Sequence, residues 1–313
     1  MLKASILFAF TALAAAVSAA PTAPAVSAAP TAPAVSDVDV LQLALTLEHL
    51  ESTFYNTALD KFTAQDFENA GYPAWVRGRF AQIAGHEATH VQFLTQAIGA
   101  NAAPACEYDF GTSMDDPTSF AKMSRIFENV GSSAYLGAAS LIQNKDYLTA
   151  AASILGAEIS HTGWVSSSVL KVQPWSGSFS VPLAPSAAFS LAQPFIKSCP
   201  QGSPQLPVKQ LPQLTLSNAQ PQLGSTVSLS FPTANFSNGT LYAAWVDGLT
   251  VEYTAINAKG STQVPNGLQG VVYVVVVSSK ETPSDDNLVS GAALIAYDFG
   301  SSANNTVSGS PVQ

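Results

Sequence analysis

Two copies of the pattern Glu-x-x-His constrain this sequence more than any other feature. They are Glu87-Ala-Thr-His90 and Glu158-Ile-Ser-His161. On an α-helix, residues three positions apart lie about 60° apart on one face and roughly 4.5 Å apart along the axis. The sequence has nine Glu and four His, so two such spacings arise by chance in only about 0.5% of cases. Each copy is therefore predicted to direct a carboxylate and an imidazole from one helix toward a common centre.

The apolar spacing between residues 37 and 172 is helical and divides into four segments. These segments begin near Asp37, Pro73, Asp116 and Asp146, and the last two end near Gln143 and Leu170. The dipeptide Asp116-Pro117 is a strong start, because Asp caps helix N-termini and Pro is favoured at the first helical position. Long helices with short connections pack as antiparallel bundles. Residues 37–172 are therefore predicted to form an antiparallel four-helix bundle.

The first and third predicted helices each carry a Glu followed by a Tyr seven residues later. The pairs are Glu48 with Tyr55 and Glu128 with Tyr135. Seven residues is close to two helical turns, so each Tyr lies on the same face as its Glu. The tyrosines are either core aromatics or hydroxyl donors to a ligand carboxylate. Glu51 is the alternative to Glu48 as a ligand on the first helix, and is otherwise a solvated carboxylate or one that supports a ligand.

Four helices that present Glu, Glu-x-x-His, Glu and Glu-x-x-His resemble the di-iron and di-manganese proteins of the ferritin-like superfamily. The resemblance covers about residues 37–170 and implies six metal ligands, which are Glu48, Glu87, His90, Glu128, Glu158 and His161. It implies that Glu87 and Glu158 bridge two ions. Glu48 and Glu128 would bind one ion each from its outer side, and each His would complete one ion. More narrowly, the chain resembles secreted fungal ferritin-like stress-response proteins and, more distantly, plant desiccation-related proteins.

The charge balance of these ligands agrees with a pair of metal ions. Isolated carboxylates inside an apolar bundle are costly unless cations compensate them. Four carboxylates and two divalent ions sum to zero. Oxygen ligands with one imidazole per ion suit iron or manganese better than a structural zinc site. The predicted cofactors are thus two Fe or Mn ions, and the predicted partners are metal ions with a small oxidant or ferrous iron.

The segment His86-Glu87-Ala-Thr-His90 also matches the motif of zincin metalloproteases, with two His as zinc ligands and Glu87 as general base. That alternative leaves Glu158 and His161 without a role, and no third zinc ligand follows at the usual spacing. In the two-ion interpretation, His86 is predicted to lie off the metal-binding face.

The beginning of the chain predicts secretion. Residues 1–20 start with Lys3, continue as an apolar run and end on small residues, which is typical of a signal peptide. Residues 21–36 form a Pro- and Ala-rich near-repeat, which predicts an extended linker. The mature protein is expected in the extracellular space or the cell wall, with no membrane association after cleavage of the signal peptide.

Two further features fit that location. The chain has two cysteines, Cys106 and Cys199, and in an oxidising compartment such a pair predicts one structural disulfide. Three Asn-x-Ser/Thr triplets are candidate glycosylation sites, and they begin at Asn235, Asn238 and Asn304.

After residue 172 the sequence changes character. Residues 173–205 are rich in Pro, Ser and aromatic residues and are predicted to be an irregular connecting segment. Residues 206–313 contain five short β-type runs at 227–231, 241–246, 250–254, 271–277 and 293–297, which predict a small β-sandwich. Its aromatic residues Tyr242, Trp245 and Tyr253 are either sandwich core or a surface for cell-wall polysaccharide or protein. The predicted fold class is α+β with several domains.

The composition excludes one class of function. Charged residues make up 11% of the chain and the net charge is −9, unlike the basic surface that nucleic acids require, so nucleic-acid binding is excluded.

The leading hypothesis is a secreted di-metal protein with redox chemistry on dioxygen, peroxide or ferrous iron in a stress response. The alternative is a non-catalytic extracellular stress protein whose metal site is structural or vestigial.

Overall fold

The computed structural model describes residues 35–232, 234, 236 and 240–303. The predicted signal peptide, residues 21–34 of the predicted linker, and Asn235, Asn238 and Asn304 lie outside these residues. The described residues from 35 to 303 form one compact unit. Its helices are α1 (Asp37–Lys61), α2 (Ala64–Asn69), α3 (Trp75–Ile98), α4 (Pro117–Ala138), α5 (Lys145–Trp164) and α6 (Pro185–Ala192). A helical region thus precedes a region of antiparallel strands, which makes the fold α+β.

The four long helices begin at side-chain caps or at proline-containing turns. Ser36 caps α1 and forms a capping box with Asp39, so the cap lies one residue before the predicted Asp37. Asp116 caps α4 by accepting hydrogen bonds from the amides of Thr118 and Ser119, as its position before a proline predicts. Helix α3 packs along α1 and α5 packs along α4, while α1 also contacts α4. The two Glu-x-x-His helices, α3 and α5, therefore belong to different helix pairs.

The strands within the described ranges form three antiparallel sheets. They are β1 (Glu107–Tyr108), β2 (Ile196–Ser198), β3 (Thr215–Leu216), β4 (Thr226–Ser230), β5 (Tyr242–Asp247), β6 (Thr250–Ala255), β7 (Ser261–Gln263), β8 (Gly270–Val277) and β9 (Ala293–Tyr297). Strands β1 and β2 pair alone, β3-β4-β7 form a second sheet, and β6-β5-β8-β9 form a third. The five predicted strands match β4, β5, β6, β8 and β9 to within one residue at each end. The sequence did not predict β3 and β7, which are too short to show an alternating pattern.

Strand β8 is buried along its whole length because it has a core on each face. Val272, Val274 and Val276 pack against the three-stranded sheet. Tyr273 and Val275 lie in the core that also contains the apolar side chains of α1, α3 and α4. The helical region and the four-stranded sheet therefore share one continuous core, and Ser133 of α4 donates a hydrogen bond to the Tyr273 hydroxyl across it.

The aromatic residues of the sheet region belong mainly to this packing. Trp245 is fully buried, and its indole Nε1 donates a hydrogen bond to Thr254 Oγ1 at 2.8 Å. Tyr242 and Tyr253 are partly buried, and the Tyr253 hydroxyl donates to the carbonyl of Glu281. Trp245 is therefore part of the core of the sheet region, as the first of the two interpretations predicts, and it cannot offer a surface to a polysaccharide.

The segment 173–205 is not wholly irregular, which corrects the sequence-based prediction. It contains α6 and strand β2, and α6 packs against α4 and α1. Pro185 occupies the first turn of α6, and six of its eight residues are buried. A helix that is buried on nearly all sides has no polar face, so its sequence shows no helical periodicity.

The predicted disulfide between Cys106 and Cys199 is present and is confirmed by the structure. Each cysteine adjoins one strand of the β1–β2 pair, in which Glu107 lies opposite Ser198. The bond therefore fixes the loop that precedes α4 to the chain that follows α6. In the part of the chain that the structure describes, no helix is sufficiently long and apolar to cross a membrane.

Gly137 of α4 marks the tightest contact between the helices and the segment before α6. A Cβ atom at this position would overlap the backbone carbonyl of Leu183. Gly137→Ala is therefore expected to lower the free energy of unfolding by about 2–3 kcal/mol, because backbone atoms must shift. Gly156→Ala on α5 is the matched control, since a Cβ there meets no atom. It should stabilise the protein by about 0.5–1 kcal/mol. Urea titration of both variants tests the contrast, and equal effects would contradict it.

Candidate metal centre

The four long helices bring six side chains together in the interior of the helical region. Glu48 comes from α1 and Glu128 from α4, while each Glu-x-x-His helix supplies a Glu and a His. The four carboxylates are completely buried, with exposed fractions of 0%. These are the six residues that the sequence predicted as metal ligands, and they are Glu48, Glu87, His90, Glu128, Glu158 and His161.

The six side chains form two overlapping groups. In each group, one potential ligand atom per residue lies within 4.8 Å of every other. The first group contains Glu48, Glu87, His90 and Glu158, and the second contains Glu87, Glu128, Glu158 and His161. Glu87 and Glu158 are common to both groups. The arrangement therefore offers two adjacent four-residue sites that share two carboxylates.

Both imidazoles direct Nδ1 toward the carboxylates. His90 Nδ1 lies 3.2 Å from Glu48 Oε2, 3.2 Å from Glu87 Oε2 and 3.4 Å from Glu158 Oε1. His161 Nδ1 lies 3.1 Å from Glu128 Oε2 and 3.3 Å from Glu87 Oε1. Because Nδ1 faces the centre in both cases, the Nε2 atoms are left for other partners.

The two tyrosines hold the outer carboxylates in a reciprocal way. The Tyr135 hydroxyl, on α4, donates to Glu48 Oε1 of α1 at 2.6 Å. The Tyr55 hydroxyl, on α1, donates to Glu128 Oε1 of α4 and also contacts Ser124 Oγ. Each Tyr thus supports the Glu of the facing helix and not the Glu of its own helix. In both cases the Oε1 atom accepts from the tyrosine, and Oε2 remains directed at a histidine.

His86 was predicted to lie off the metal-binding face; it belongs to neither group of potential ligands, but it contacts a member of the second group. Its Nδ1 atom lies 2.8 Å from His161 Nε2, and the two rings stack with centroids 5.1 Å apart. His86 therefore fixes the orientation of His161 from the solvent side. The sequence could not show this contact, because it depends on how close α5 lies to α3. The spacing of one helical turn between His86 and His90 was the only available signal.

Glu51 is a fifth buried carboxylate beside the centre, with 4% of its surface exposed. It lies one turn after Glu48 on α1. It belongs to neither group of potential ligands, and among the described residues no side chain or amide donates a hydrogen bond to it. Its carboxylate borders Gly131 of α4: a Cβ at Gly131 would lie 2.8 Å from Glu51 Oε1 and 3.2 Å from Glu158 Oε2.

The buried oxygens at this site lack enough protein donors. Glu87 Oε1 and both carboxylate oxygens of Glu158 accept no hydrogen bond from the described residues. Buried polar atoms in native proteins almost always have a partner. Unpartnered oxygens on the two shared carboxylates are the pattern expected for ligands of cations, so the residues present fit a metal pair.

Burial dominates the electrostatics of the carboxyl groups. It raises the pKa of Glu48, Glu51 and Glu158 well above the usual value and also raises the pKa of Glu128. Burial would also raise the pKa of Glu87, but the adjacent His161 and His90 lower it to about 2. Repulsion between neighbouring carboxylates adds to the effect of burial. Full ionisation of all five groups therefore requires added positive charge.

For the two histidines, the neighbouring charges outweigh burial in setting the pKa. Burial would lower their pKa values, but the adjacent carboxylates of Glu158, Glu48 and Glu87 raise the pKa of His90 to about 12. The carboxylates of Glu128 and Glu87 raise the pKa of His161 to about 10. Two imidazolium ions can thus partly replace cations in protein stripped of metal. A metal ion that binds Nδ1 must displace these protons.

These pKa shifts predict that metal-free protein loses stability as pH rises, while the stabilisation gained from bound metal increases. Glu48, Glu51, Glu128 and Glu158 hold protons in the folded state above about pH 4.5, where they ionise in the unfolded chain. Folded metal-free protein then binds more protons than unfolded protein, so its stability falls as pH rises from 4.5. The stabilising effect of protonated His90 and His161 is complete below pH 6.5 and is lost as pH rises through their folded pKa values. Glu87 acts oppositely, and its effect is lost as pH falls toward 2.

Metal binding competes with these protons, so the stabilisation gained from bound ions should increase with pH. Thermal unfolding of metal-stripped and Mn²⁺-loaded protein between pH 5 and pH 8 checks both trends, with the gap expected to widen as pH rises. A gap that stays constant over that range would contradict the ligand assignment.

The helical region and its carboxylate–histidine centre are similar to those of ferritin-like proteins. Residues 36–171 match the family model for the ferritin-like domain. The matched range contains α1 to α5 and all six residues of the two groups. The family match therefore agrees with the resemblance found in the sequence.

A similar protein is "Protein rds1" of Schizosaccharomyces pombe (strain 972 / ATCC 24843). It is 29% identical over 214 residues, which cover 67% of this chain and 51% of that protein. The chain thus spans about half the length of the curated relative it matches. The alignment is longer than the range 36–171 and extends beyond the helical region.

Proposed function

We propose that this chain binds two iron or manganese ions in its helical region and uses them for redox chemistry on dioxygen, peroxide or ferrous iron. The observation that carries the proposal is the overlap of the two ligand groups at Glu87 and Glu158. In a protein with two separate single-ion sites, no carboxylate would belong to both. The helices α1, α3, α4 and α5 would form the four helices of a ferritin-like bundle around this pair.

The proposed ligand roles follow from the groups. Glu87 and Glu158 would bridge the ions. Glu48 and His90 would complete one ion, and Glu128 and His161 the other. When bound, a pair of such ions supplies two coordinated one-electron changes of valence. The tyrosines hold Oε1 of each outer carboxylate, so Oε2 is presented to the centre without rearrangement.

The ligand set favours iron or manganese over zinc. Four carboxylates and two imidazoles are hard or borderline donors, and the described residues offer no thiolate, since both cysteines are paired. The protease alternative requires His86 as a ligand, but His86 is in neither group and contacts His161 instead. That geometry supports the two-ion centre.

The surroundings of the centre support a small co-substrate. The four carboxylates of the centre are buried, and the His90 side chain is only 12% exposed. A site buried to this degree suits dioxygen, peroxide or a single ferrous ion better than an organic substrate, which needs a cavity. We further propose that the protein is secreted and acts in a stress response, which its first 20 residues and its disulfide support.

The test is turnover by the loaded protein. Protein loaded with Fe²⁺ or Mn²⁺ should consume oxygen, decompose peroxide or oxidise added Fe²⁺ faster than Glu87→Ala treated in the same way. Ser160→Ala is the control, because Ser160 lies on α5 between the ligands but is exposed. Equal rates for the wild type and Glu87→Ala would favour the non-catalytic alternative, in which bound metal only stabilises the fold.

A further inference from the structure

The centre departs from its own internal symmetry at one position. Helices α1 and α4 contribute equivalent pairs, Glu48 with Tyr55 and Glu128 with Tyr135, each seven residues apart. Three residues after its ligand Glu, α1 carries Glu51, whereas α4 carries Gly131. The structure places these two non-equivalent residues against each other. At equivalent positions, α1 thus has a carboxylate, Glu51, and α4 has no side chain, at Gly131.

Gly131 makes the space that the Glu51 carboxylate occupies. A Cβ atom at Gly131 would lie 2.8 Å from Glu51 Oε1 and 3.2 Å from Glu158 Oε2. The first distance is shorter than real Cβ contacts allow. Both oxygens border this one space, so Glu51 faces the unpartnered oxygen of a shared ligand. The Glu51 side chain is buried and turned inward, although solvent would hydrate it if it pointed outward.

An unpaired buried carboxylate is costly, and the six proposed ligands do not compensate for it. Four carboxylates and two divalent ions already sum to zero. An ionised Glu51 adds one negative charge, which a pair with one trivalent ion would neutralise. The described part of the chain offers no Lys or Arg in contact with Glu51. In metal-stripped protein a bound proton neutralises Glu51. In loaded protein, where Glu51 ionises, the compensating charge comes from the centre.

We infer that Glu51 is a counter-charge. It makes the centre prefer a pair of one trivalent and one divalent ion over a pair of two divalent ions. This inference rests on the proposed function, and it assigns Glu51 a positioning role by charge without making it a ligand. Gly131 is also required for this role, because the absence of a side chain there allows the Glu51 carboxylate to approach Glu158.

The experiment uses ions that cannot change valence. Zn²⁺ alone, and Zn²⁺ together with Ga³⁺ supplied as its nitrilotriacetate complex, are titrated calorimetrically into metal-stripped full-length protein. The ratio of Ga³⁺ to Zn²⁺ affinity is compared between wild type, Glu51→Gln and Glu68→Gln. Glu51→Gln keeps the shape and removes the charge. Glu68→Gln is the control, because Glu68 is exposed on α2.

Glu51→Gln should lower the ratio of Ga³⁺ to Zn²⁺ affinity by at least about tenfold, since one unit charge acts over several ångströms in a buried site. Glu68→Gln should leave the ratio unchanged. Gly131→Ala should lower it as well, because the added Cβ displaces the Glu51 carboxylate. An unchanged ratio in Glu51→Gln would overturn the inference while leaving the two-ion centre intact. Failure of the wild type to bind two ions would overturn both.

The unfolding temperature of metal-stripped Glu51→Gln distinguishes a loss of folding from a loss of the counter-charge. Glu51→Gln replaces a carboxyl group that must hold a proton in the folded metal-stripped protein, so its unfolding temperature without metal at neutral pH should equal or exceed that of the wild type. A lower unfolding temperature would show that Glu51 stabilises the metal-free fold, and it would contradict the role assigned here.

Discussion

Glu158→Ala and His161→Ala should each weaken metal binding as strongly as Glu87→Ala and His90→Ala, by roughly 100-fold or more. The reason is that each Glu-x-x-His helix supplies one half of the centre, and Glu87 and Glu158 belong to both ligand groups. Loss of either shared carboxylate should therefore affect both ions. Removing even a supporting partner of a metal ligand commonly costs about 10- to 100-fold in affinity. Titration of each metal-stripped variant with Mn²⁺ measures the effect.

The same series distinguishes the two interpretations of the His86-Glu87-Ala-Thr-His90 segment. Ser160→Ala should bind metal like the wild type, because Ser160 is on α5 but faces solvent. His86→Ala should have a smaller effect than His161→Ala, since His86 acts through the His161 ring. If only the changes at His86, Glu87 and His90 weaken binding, the paired centre is wrong and a single-zinc site becomes the better account.

The second large predicted effect is the contribution of the Cys106–Cys199 disulfide to the stability of the fold. Replacing Cys106 and Cys199 by Ser is expected to lower the free energy of unfolding by about 3–5 kcal/mol. The bond joins residues 93 positions apart, and closing so long a loop removes much conformational entropy from the unfolded chain. Guanidinium titration without reductant measures the difference.

A reductant provides the control for this prediction. Reduced wild type should unfold at the same denaturant concentration as the double variant, and reductant should not affect the double variant. If the double variant and the oxidised wild type unfold together, the bond does not constrain the unfolded chain, and the β1–β2 pairing alone holds this part of the fold.

Local signals explain which elements could be predicted from the sequence. Asp116-Pro117 specifies a cap and a first turn, and α4 begins there. The continuous apolar run of residues 271–277 predicts β8, which the structure extends by one residue. Helix α6 was not predicted because it is buried on nearly all sides, so packing and not periodicity defines it. Similarly, the shared core of helices and sheet depends on long-range contacts that no local pattern encodes.

The candidate centre shows the same division. The Glu-x-x-His spacing predicted four of the six side chains that the structure brings together, because helix geometry alone places i and i+3 on one face. The tyrosines were assigned to the correct helices, but each supports the Glu of the facing helix, which only the packing of α1 on α4 reveals. The role of Glu51 depends on a glycine 80 positions away in the sequence, so neither residue indicates it alone.

The most direct test of the central claim is the metal content of the protein, measured by elemental mass spectrometry after purification from its natural source. The account predicts about two Fe or Mn ions per chain, and Glu87→Ala should lose both. One Zn ion per chain, or no bound metal even after loading with Fe²⁺ or Mn²⁺, would contradict a two-ion carboxylate centre.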